Sequence, residues 1–236
     1  MDSDATATAL PDELPNSGGQ LRRPASLVED VYHRVRDDIM SLKIAPNARI
    51  TVDSLARELG VSQTPIREAL SMLEAAGLVR KQRFVGYCAA PTLNRKQFQD
   101  LYEVRLLLEP FAARRAAEKM SEPQLLELHQ LTLHMDPDQA NMSRGSYDLF
   151  ADRDAEFHAL IAQGGGNELI AQALARLHTH LHIFRLRFHP EITNEAYLEH
   201  SQIIGALRHR APSDAEAAMR SHIEKSYERL VKCTQE

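Results

Sequence analysis

The chain has 236 residues, of which 43% are hydrophobic and 26% are charged, and its formal net charge is −5. This length suits two modest domains, each able to bury a core. The sequence shows neither an apolar run long enough to span a bilayer nor a signal peptide, so we expect a cytoplasmic protein without a membrane partner. Its two cysteines form no metal motif and do not indicate a secreted disulfide framework.

The charge is distributed unevenly along the chain. Residues 1–26 are rich in Asp, Ala, Thr, Pro and Gly without periodicity, which predicts a disordered tail. Residues 22–93 carry eleven bases and eight acids, whereas residues 94–236 have a net charge of −4. The small positive excess therefore falls on one segment, as binding to nucleic acid would require.

Three helices are predicted after the tail. A capping box, Ser26 to Glu29, opens the first helix. Its apolar stripe consists of Val28, Val31, Tyr32, Val35, Ile39 and Leu42. The second helix follows the N-cap Thr51 and ends at Gly60, and the third has Pro65 in its first turn and ends before Gly77.

The second and third helices have the spacing of a helix-turn-helix. Ser62, Gln63, Thr64 and Arg67 lie on the leading side of the third helix, where such helices contact bases and phosphates. An ordinary helical hairpin would show a similar pattern. Short strands predicted at Leu78–Arg80 and Tyr87–Ala89 add a β-hairpin wing that carries Arg83 and Gly86. The combination predicts a winged helix-turn-helix over residues 27–91.

This segment resembles the N-terminal domain of the GntR family of bacterial transcription regulators. The resemblance rests on the run Leu59-Gly-Val-Ser-Gln-Thr-Pro-Ile-Arg-Glu-Ala-Leu70 and on Gly77-Leu-Val79. It implies that Ser62, Gln63, Thr64 and Arg67 approach double-stranded operator DNA and that Gly86 enters the minor groove. Asp53 departs from the pattern, because some members have an arginine there, so no DNA contact is expected from it.

Residues 94–232 read as six or seven helices with short connections, which predicts an antiparallel all-α bundle and a mainly α protein. Helix breaks are predicted at Ser121–Pro123, Asp136–Pro137, Arg144–Gly145, Gly164–Gly166, His189–Pro190 and Ala211–Ser213. One continuous helix is expected to carry Leu174, Leu177, Leu181, Phe184 and Phe188 together with His178, His180 and His182, which we do not count as metal ligands.

Four polar residues share apolar helix faces in the bundle. Asp154 and His158 are one turn apart, and His200 and His222 lie at matching distances from the break near Pro212. An antiparallel hairpin would bring both of these histidines to the same height. One carboxylate and three imidazoles suit Zn²⁺, Ni²⁺, Mn²⁺ or Fe²⁺. A buried Asp154–His158 ion pair and satisfied core histidines are the simpler alternatives.

The bundle resembles the FCD effector domain of FadR-like GntR regulators. Its metal-binding members use Asp-x-x-x-His, then His, then His twenty-two positions later, which matches Asp154, His158, His200 and His222. The resemblance implies a divalent metal, most simply zinc, that helps to hold a small carboxylate effector. Arg105 is the predicted effector contact; a structural ion pair with Glu109 or Asp154 is the alternative.

The sequence therefore predicts a homodimeric, effector-responsive transcription regulator rather than an enzyme. Two recognition helices per dimer would fit a pseudo-palindromic operator. One alternative is a metal-dependent hydrolase or lyase with an appended winged helix, since three histidines and a carboxylate also suit metal-assisted hydrolysis. The other is a regulator whose metal is purely structural.

Overall fold

The computed structural model describes residues 24–135, 144–185 and 190–233. Residues 1–23 of the predicted tail, the predicted break at Asp136–Pro137, His189 and Phe188 lie outside these ranges. The helices are α1 Pro24–Met40, α2 Val52–Leu59, α3 Gln63–Ala75, α4 Arg95–Lys119, α5 Glu122–Leu133, α6 Arg144–Gly164, α7 Glu168–Arg176, α8 Thr179–Phe184, α9 Pro190–Arg208 and α10 Pro212–Leu230. The strands are β1 Arg49–Ile50, β2 Val79–Gln82 and β3 Gly86–Ala89, and a 3₁₀ turn covers Val231–Cys233.

The first three helices and the sheet form the predicted winged helix. Helices α1 and α3 pack together over a core that includes the fully buried Val35, Ile66 and Leu70. Strands β2 and β3 form the predicted hairpin, and the antiparallel sheet has the order β1-β3-β2. Strand β1 was not predicted, because two residues are too few to show an alternating pattern.

Both ends of α1 differ from the prediction. The helix begins at Pro24, so Ser26 is not its N-cap and residues 24–26 do not belong to a disordered tail. Proline is readily accommodated in the first turn of a helix, which permits this earlier start. At the other end, Leu42 lies beyond the helix at φ 59° and is 42% exposed. A turn closed by the Ile44 N–H and the Asp38 carbonyl takes it off the apolar stripe.

Helix α4 is the centre of the second domain. It packs against α6 and α10, and α9 and α10 form an antiparallel hairpin about the predicted break at Pro212. Asn94 begins α4 with a reciprocal capping box, and at the start of α5 the Ser121 N–H donates a hydrogen bond to the Gln124 side-chain oxygen. Within the described residues this domain has seven α-helices, which agrees with the predicted bundle.

The predicted continuous helix through Leu174 and Phe184 is wrong. The chain breaks between α7 and α8 at His178, whose φ of 47° lies in the left-handed region. The apolar spacing continues across the break, so periodicity alone could not reveal it. The break turns α8 in a new direction and decides where its histidines lie.

Contacts between the winged helix and the bundle include three that involve α1, the end of α3 and the end of the sheet. Arg36 forms an ion pair with Asp152, and the Arg185 guanidinium donates a hydrogen bond to the Ala90 carbonyl over 2.9 Å. The His178 ring lies so close to Gly77 that a Cβ there would be 2.7 Å from its Cδ2 atom. In the three described ranges no helix is long and apolar enough to cross a membrane.

Gly77→Ala should destabilise the protein more than Gly60→Ala does. Both glycines have a positive φ, but an added Cβ meets nothing within 4 Å at Gly60. Gly60→Ala should therefore cost only the backbone strain, about 1–2 kcal/mol. Urea unfolding of both variants measures the difference. Adding His178→Ala should recover part of the Gly77→Ala loss, whereas equal losses at both glycines would show that the contact with His178 has no energetic weight.

Candidate metal centre and nucleic-acid interface

Three imidazoles meet in the core of the bundle. His158 on α6, His200 on α9 and His222 on α10 are buried, and one ligand atom from each lies within 4.8 Å of the other two. The Oδ1 atom of Asp154 is 3.2 Å from Nε2 of His200 and 4.0 Å from Nε2 of His158. The structure thus brings together all four residues that the sequence singled out.

Glutamates on neighbouring helices orient two of these rings. Nδ1 of His158 donates to Oε2 of Glu109 over 2.6 Å, and Nδ1 of His222 donates to Oε2 of Glu199 over 2.8 Å. Each bond leaves Nε2 as the free acceptor, which is how carboxylates prepare histidines for metal binding.

The remaining ring nitrogens fit a cation. Three buried ring nitrogens have no hydrogen-bond partner within the described part of the chain: Nε2 of His158 and both Nδ1 and Nε2 of His200. Unpaired buried polar atoms are costly, and a metal ion would satisfy those that face the cluster. The donor set of three imidazoles and one carboxylate is the one that zinc and related divalent metals favour.

The protonation states also suit a metal. Burial lowers the pKa of His158, and it lowers the pKa of His222 to about 3, so both rings are neutral near pH 7. Burial alone would raise the pKa of Asp154, but His180 and the neighbouring histidines hold it well below its usual value. Neutral imidazoles and an ionised carboxylate are the forms that coordinate metals.

Arg105 forms an ion pair with Glu109, one of the two partners that the sequence offered as an alternative to effector binding. Its Nε atom is 2.6 Å from Oε1 of Glu109, and only 1% of Arg105 is exposed. Burial would raise the pKa of Glu109, but Arg105 and His158 keep it far below its ordinary value. A chain of buried polar contacts therefore runs from Arg105 through Glu109 to His158, and effector binding by Arg105 stays a prediction.

Sequence reasoning missed three polar residues around the cluster. His180 on α8 places Nδ1 2.6 Å from Oδ2 of Asp154. Arg229 donates to both oxygens of Glu199, over 2.7 and 2.9 Å. His180 was placed on an unbroken helix, which concealed its direction. Glu199 carried a usable signal, because it adjoins His200 on a helix face that is otherwise apolar.

Two spaces adjoin the cluster and differ greatly in size. A cavity of about 20 Å³ touches Arg105, Asp154 and His222, and this volume holds roughly one water molecule. An open groove of about 350 Å³ lies between α1 and helices α6 to α8. Its lining includes His158 and His180, so it approaches the cluster from the side of the winged helix.

The predicted DNA-contacting residues lie on one exposed end of α3 and on the wing. Ser62, Gln63, Thr64 and Arg67 are exposed, as are Arg83 and Gly86 in the wing. Nη2 of Arg67 donates to Oε1 of Gln63 over 3.1 Å, and the Gln63 amide donates to the Asp53 carboxylate. Asp53 therefore positions Gln63 and, through it, Arg67.

A winged helix with an exposed recognition helix, joined to a bundle with a buried polar cluster, defines a DNA-binding regulator. Comparison with known families agrees: residues 27–87 match the bacterial regulatory proteins of the gntR family, and residues 100–225 match the FCD domain. The chain belongs to the GntR family and has its FadR-like architecture, a winged helix followed by an FCD domain. Its family and relatives are transcription regulators rather than enzymes.

Relatives and solved structures extend the likeness over most of the chain. The HTH-type transcriptional repressor RspR of Escherichia coli is 27% identical over 92% of this chain and 94% of its own. The Nta operon transcriptional regulator of Aminobacter aminovorans is 27% identical over 81% of this chain and 89% of its own. A GntR regulator from Rhodococcus shares the fold with a TM-score of 0.68 and 17% identity, and the match covers 89% of this chain and 100% of that one. Escherichia coli McbR/YncC matches with a TM-score of 0.65 and 19% identity, covering 87% of this chain and 97% of its own.

His182→Gln should reduce the acid sensitivity of folding. Burial, with smaller contributions from Arg185 and His178, lowers the pKa of His182 from 6.5 to about 4. Between these values the unfolded chain binds a proton that the native chain does not, so the free energy of unfolding falls as pH falls from 6.5 to 4. Urea titrations of the wild type and the variant, both with chelator, measure the slope; parallel curves would contradict this assignment.

Proposed function

We propose that this regulator binds a pseudo-palindromic operator as a homodimer in the cytoplasm and that a small organic acid modulates it from the metal-bearing helical domain. The observation that carries the proposal is the pairing of two features in one chain. One is the exposed Ser62–Arg67 surface, and the other is the buried cluster whose histidines are already oriented by glutamates.

For DNA, Ser62, Gln63, Thr64 and Arg67 enter the major groove, while Arg83 and Gly86 of the wing approach the minor groove. The wing tip supports this role because Gly86 has a φ of 94° and nothing lies within 4 Å of its added Cβ position. Each chain supplies one recognition helix, so two copies are needed to cover two half-sites. Leu107 and Phe111, exposed one turn apart on α4, offer an apolar face for dimerisation.

For the metal, Asp154, His158, His200 and His222 hold a divalent transition ion, with zinc as the best match to the donor set. When bound, the ion supplies a Lewis-acidic position that a carboxylate can occupy. Glu109 and Glu199 keep the imidazoles in the ligating tautomer, and His180 orients Asp154. A purely structural metal is the second candidate, favoured by the small cavity beside Arg105. Arg105 contacts an effector in our proposal only if this cavity enlarges.

Arg67→Ala should weaken operator binding by about 1–3 kcal/mol if the guanidinium reads a base. Gel-shift titration with DNA from upstream of the gene measures this loss, and the stoichiometry of the complex tests the dimer. Arg57→Ala on α2, which is exposed but outside the proposed surface, is the matched control. Unchanged binding by Arg67→Ala would remove it from base recognition, and one chain per duplex would contradict the dimer.

His200→Ala and His222→Ala should each abolish stoichiometric zinc, because each removes a ligand. Glu199→Gln should keep the site but weaken zinc binding about 10–100-fold, since it only orients His222. Elemental analysis and competition with a chromophoric chelator measure both effects. The exposed His209→Ala is the control. Full zinc content in the two ligand variants would refute the site.

A further inference from the structure

We propose that Phe84, at the tip of the wing, is an apolar wedge that enters a base-pair step from the minor groove and kinks the operator. The inference rests on the proposed function and deepens it, because it names a further DNA-binding residue and a way in which the DNA site is selected. The DNA-contacting residues predicted in the wing are Arg83 and Gly86, which lie on either side of Phe84 in the chain.

Phe84 is the central residue of a three-residue tip. Gln82 pairs with Gly86 at the end of the hairpin, so Arg83, Phe84 and Val85 form the loop. The Val85 N–H donates a hydrogen bond to the Gln82 carbonyl over 3.2 Å, and Phe84 has a φ of 66°. Bulky residues rarely adopt this conformation, which glycine or asparagine normally occupies. Closing the hairpin therefore does not explain an aromatic residue at this position.

Packing inside the protein does not explain the Phe84 ring either. Phe84 is 92% exposed, which is more than any other large hydrophobic residue in the three described ranges, and the adjoining Val85 is 38% exposed. So exposed a ring contributes little packing energy to the domain, although its backbone conformation is unfavourable. Unfavourable backbone conformations persist mainly at functional sites, so the ring at the tip points to a partner outside the chain.

The charges around the tip indicate that this partner is nucleic acid. Arg80, Lys81 and Arg83 are exposed on the same hairpin, whose sequence from residue 79 to residue 89 contains no acid. The Arg83 guanidinium lies over the Phe84 ring, with its Cζ atom 4.8 Å from the ring centroid. An apolar tip surrounded by cations fits a groove that phosphates line on both sides. The tip also belongs to the same winged helix as α3, so a duplex bound by α3 is the partner that the fold brings to it.

A base-pair step suits the Phe84 ring better than a phosphate or a base edge does. The ring has no hydrogen-bonding group, so it can neither bind a phosphate nor read the edge of a base. Apolar side chains that enter the minor groove between base pairs partly unstack them and kink the duplex by about 20–90°. Nothing lies within 4 Å of the Cβ position of Gly86, so the hairpin can approach the sugar–phosphate backbone closely. Phe84 therefore unstacks the step, and Arg83 supplies charge beside it.

The wedge lets the regulator select DNA at positions where it forms no hydrogen bond with a base. Pyrimidine–purine steps kink and unstack more easily than other steps, so a wedge costs less free energy there. We therefore expect the operator to have a pyrimidine–purine step under each wing, outside the bases that α3 contacts. In a homodimer the two wings would place these steps symmetrically about the centre of the operator.

The test uses the full-length protein and a pool of random-sequence duplexes, from which the bound sequences are selected. Hydroxyl-radical footprinting locates the step under the wing, and a fluorescent adenine analogue placed in that step reports unstacking. Circular-permutation gel shifts measure the bend. Phe84→Leu keeps an apolar wedge, whereas Phe84→Asn removes it and tolerates the positive φ. Leu126→Asn, at a leucine of α5 that is 57% exposed, is the control for loss of an exposed apolar side chain.

We expect the wild type, Phe84→Leu and Leu126→Asn to raise the fluorescence and to bend the duplex by about 20° or more. Phe84→Asn should lose both signals and bind roughly tenfold more weakly, as loss of an aromatic ring stacked on a base does. The salt dependence of its binding should not change, because no charge is removed. Arg83→Gln should instead reduce the salt slope by about one.

Other outcomes overturn the inference in distinguishable ways. A wild-type complex without unstacking or bending, or a Phe84→Asn complex that unstacks and bends as the wild type does, would refute the wedge and leave the proposed DNA binding intact. If the wild-type protein selects no sequence from the pool, the proposed function fails and the wedge with it. Urea unfolding guards against a folding defect: a marked loss of stability in Phe84→Asn would make the ring a structural residue and contradict the inference.

Discussion

A carboxylate and three imidazoles buried at the centre of a helical bundle impose the main physical constraint on this protein. Removing Asp154 from water would be very costly without compensating partners. His180 supplies a hydrogen bond to Asp154, while Glu109 and Glu199 orient His158 and His222. Burying the charges of those two glutamates would also be costly, and ion pairs with Arg105 and Arg229 compensate this cost. The central helices must hold all of these groups in register, so the polar cluster determines how they pack.

The same constraint connects the bundle to the winged helix. His180 can reach Asp154 because the chain breaks at His178 and redirects α8. The His178 ring at that break lies against Gly77, two residues beyond the end of α3. At the end of α8, the Arg185 guanidinium donates a hydrogen bond to the Ala90 carbonyl. One short helix therefore contacts both the polar cluster and the DNA-binding domain.

On the DNA-binding side, a residue that departs from the family pattern has a definite place. Asp53 does not lie free at the start of α2 but accepts a hydrogen bond from Gln63, which in turn holds Arg67. From the sequence alone, no DNA contact is expected of Asp53, because some family members have an arginine at its position. The structure adds that an acid here preorganises two residues of the proposed reading surface, which reduces the entropy they lose on binding.

Local signals in the sequence determined the helix-turn-helix, the hairpin wing, the all-α bundle and the inward direction of Asp154, His158, His200 and His222. These features follow from helical periodicity, from glycine at positive φ and from the equal spacing of two histidines about Pro212. Tertiary structure alone decided the two-residue strand β1, the break at His178 and the partners of the cluster. Those features depend on contacts between residues far apart in the chain, such as His180 with Asp154 and Arg36 with Asp152, which periodicity within one helix cannot encode.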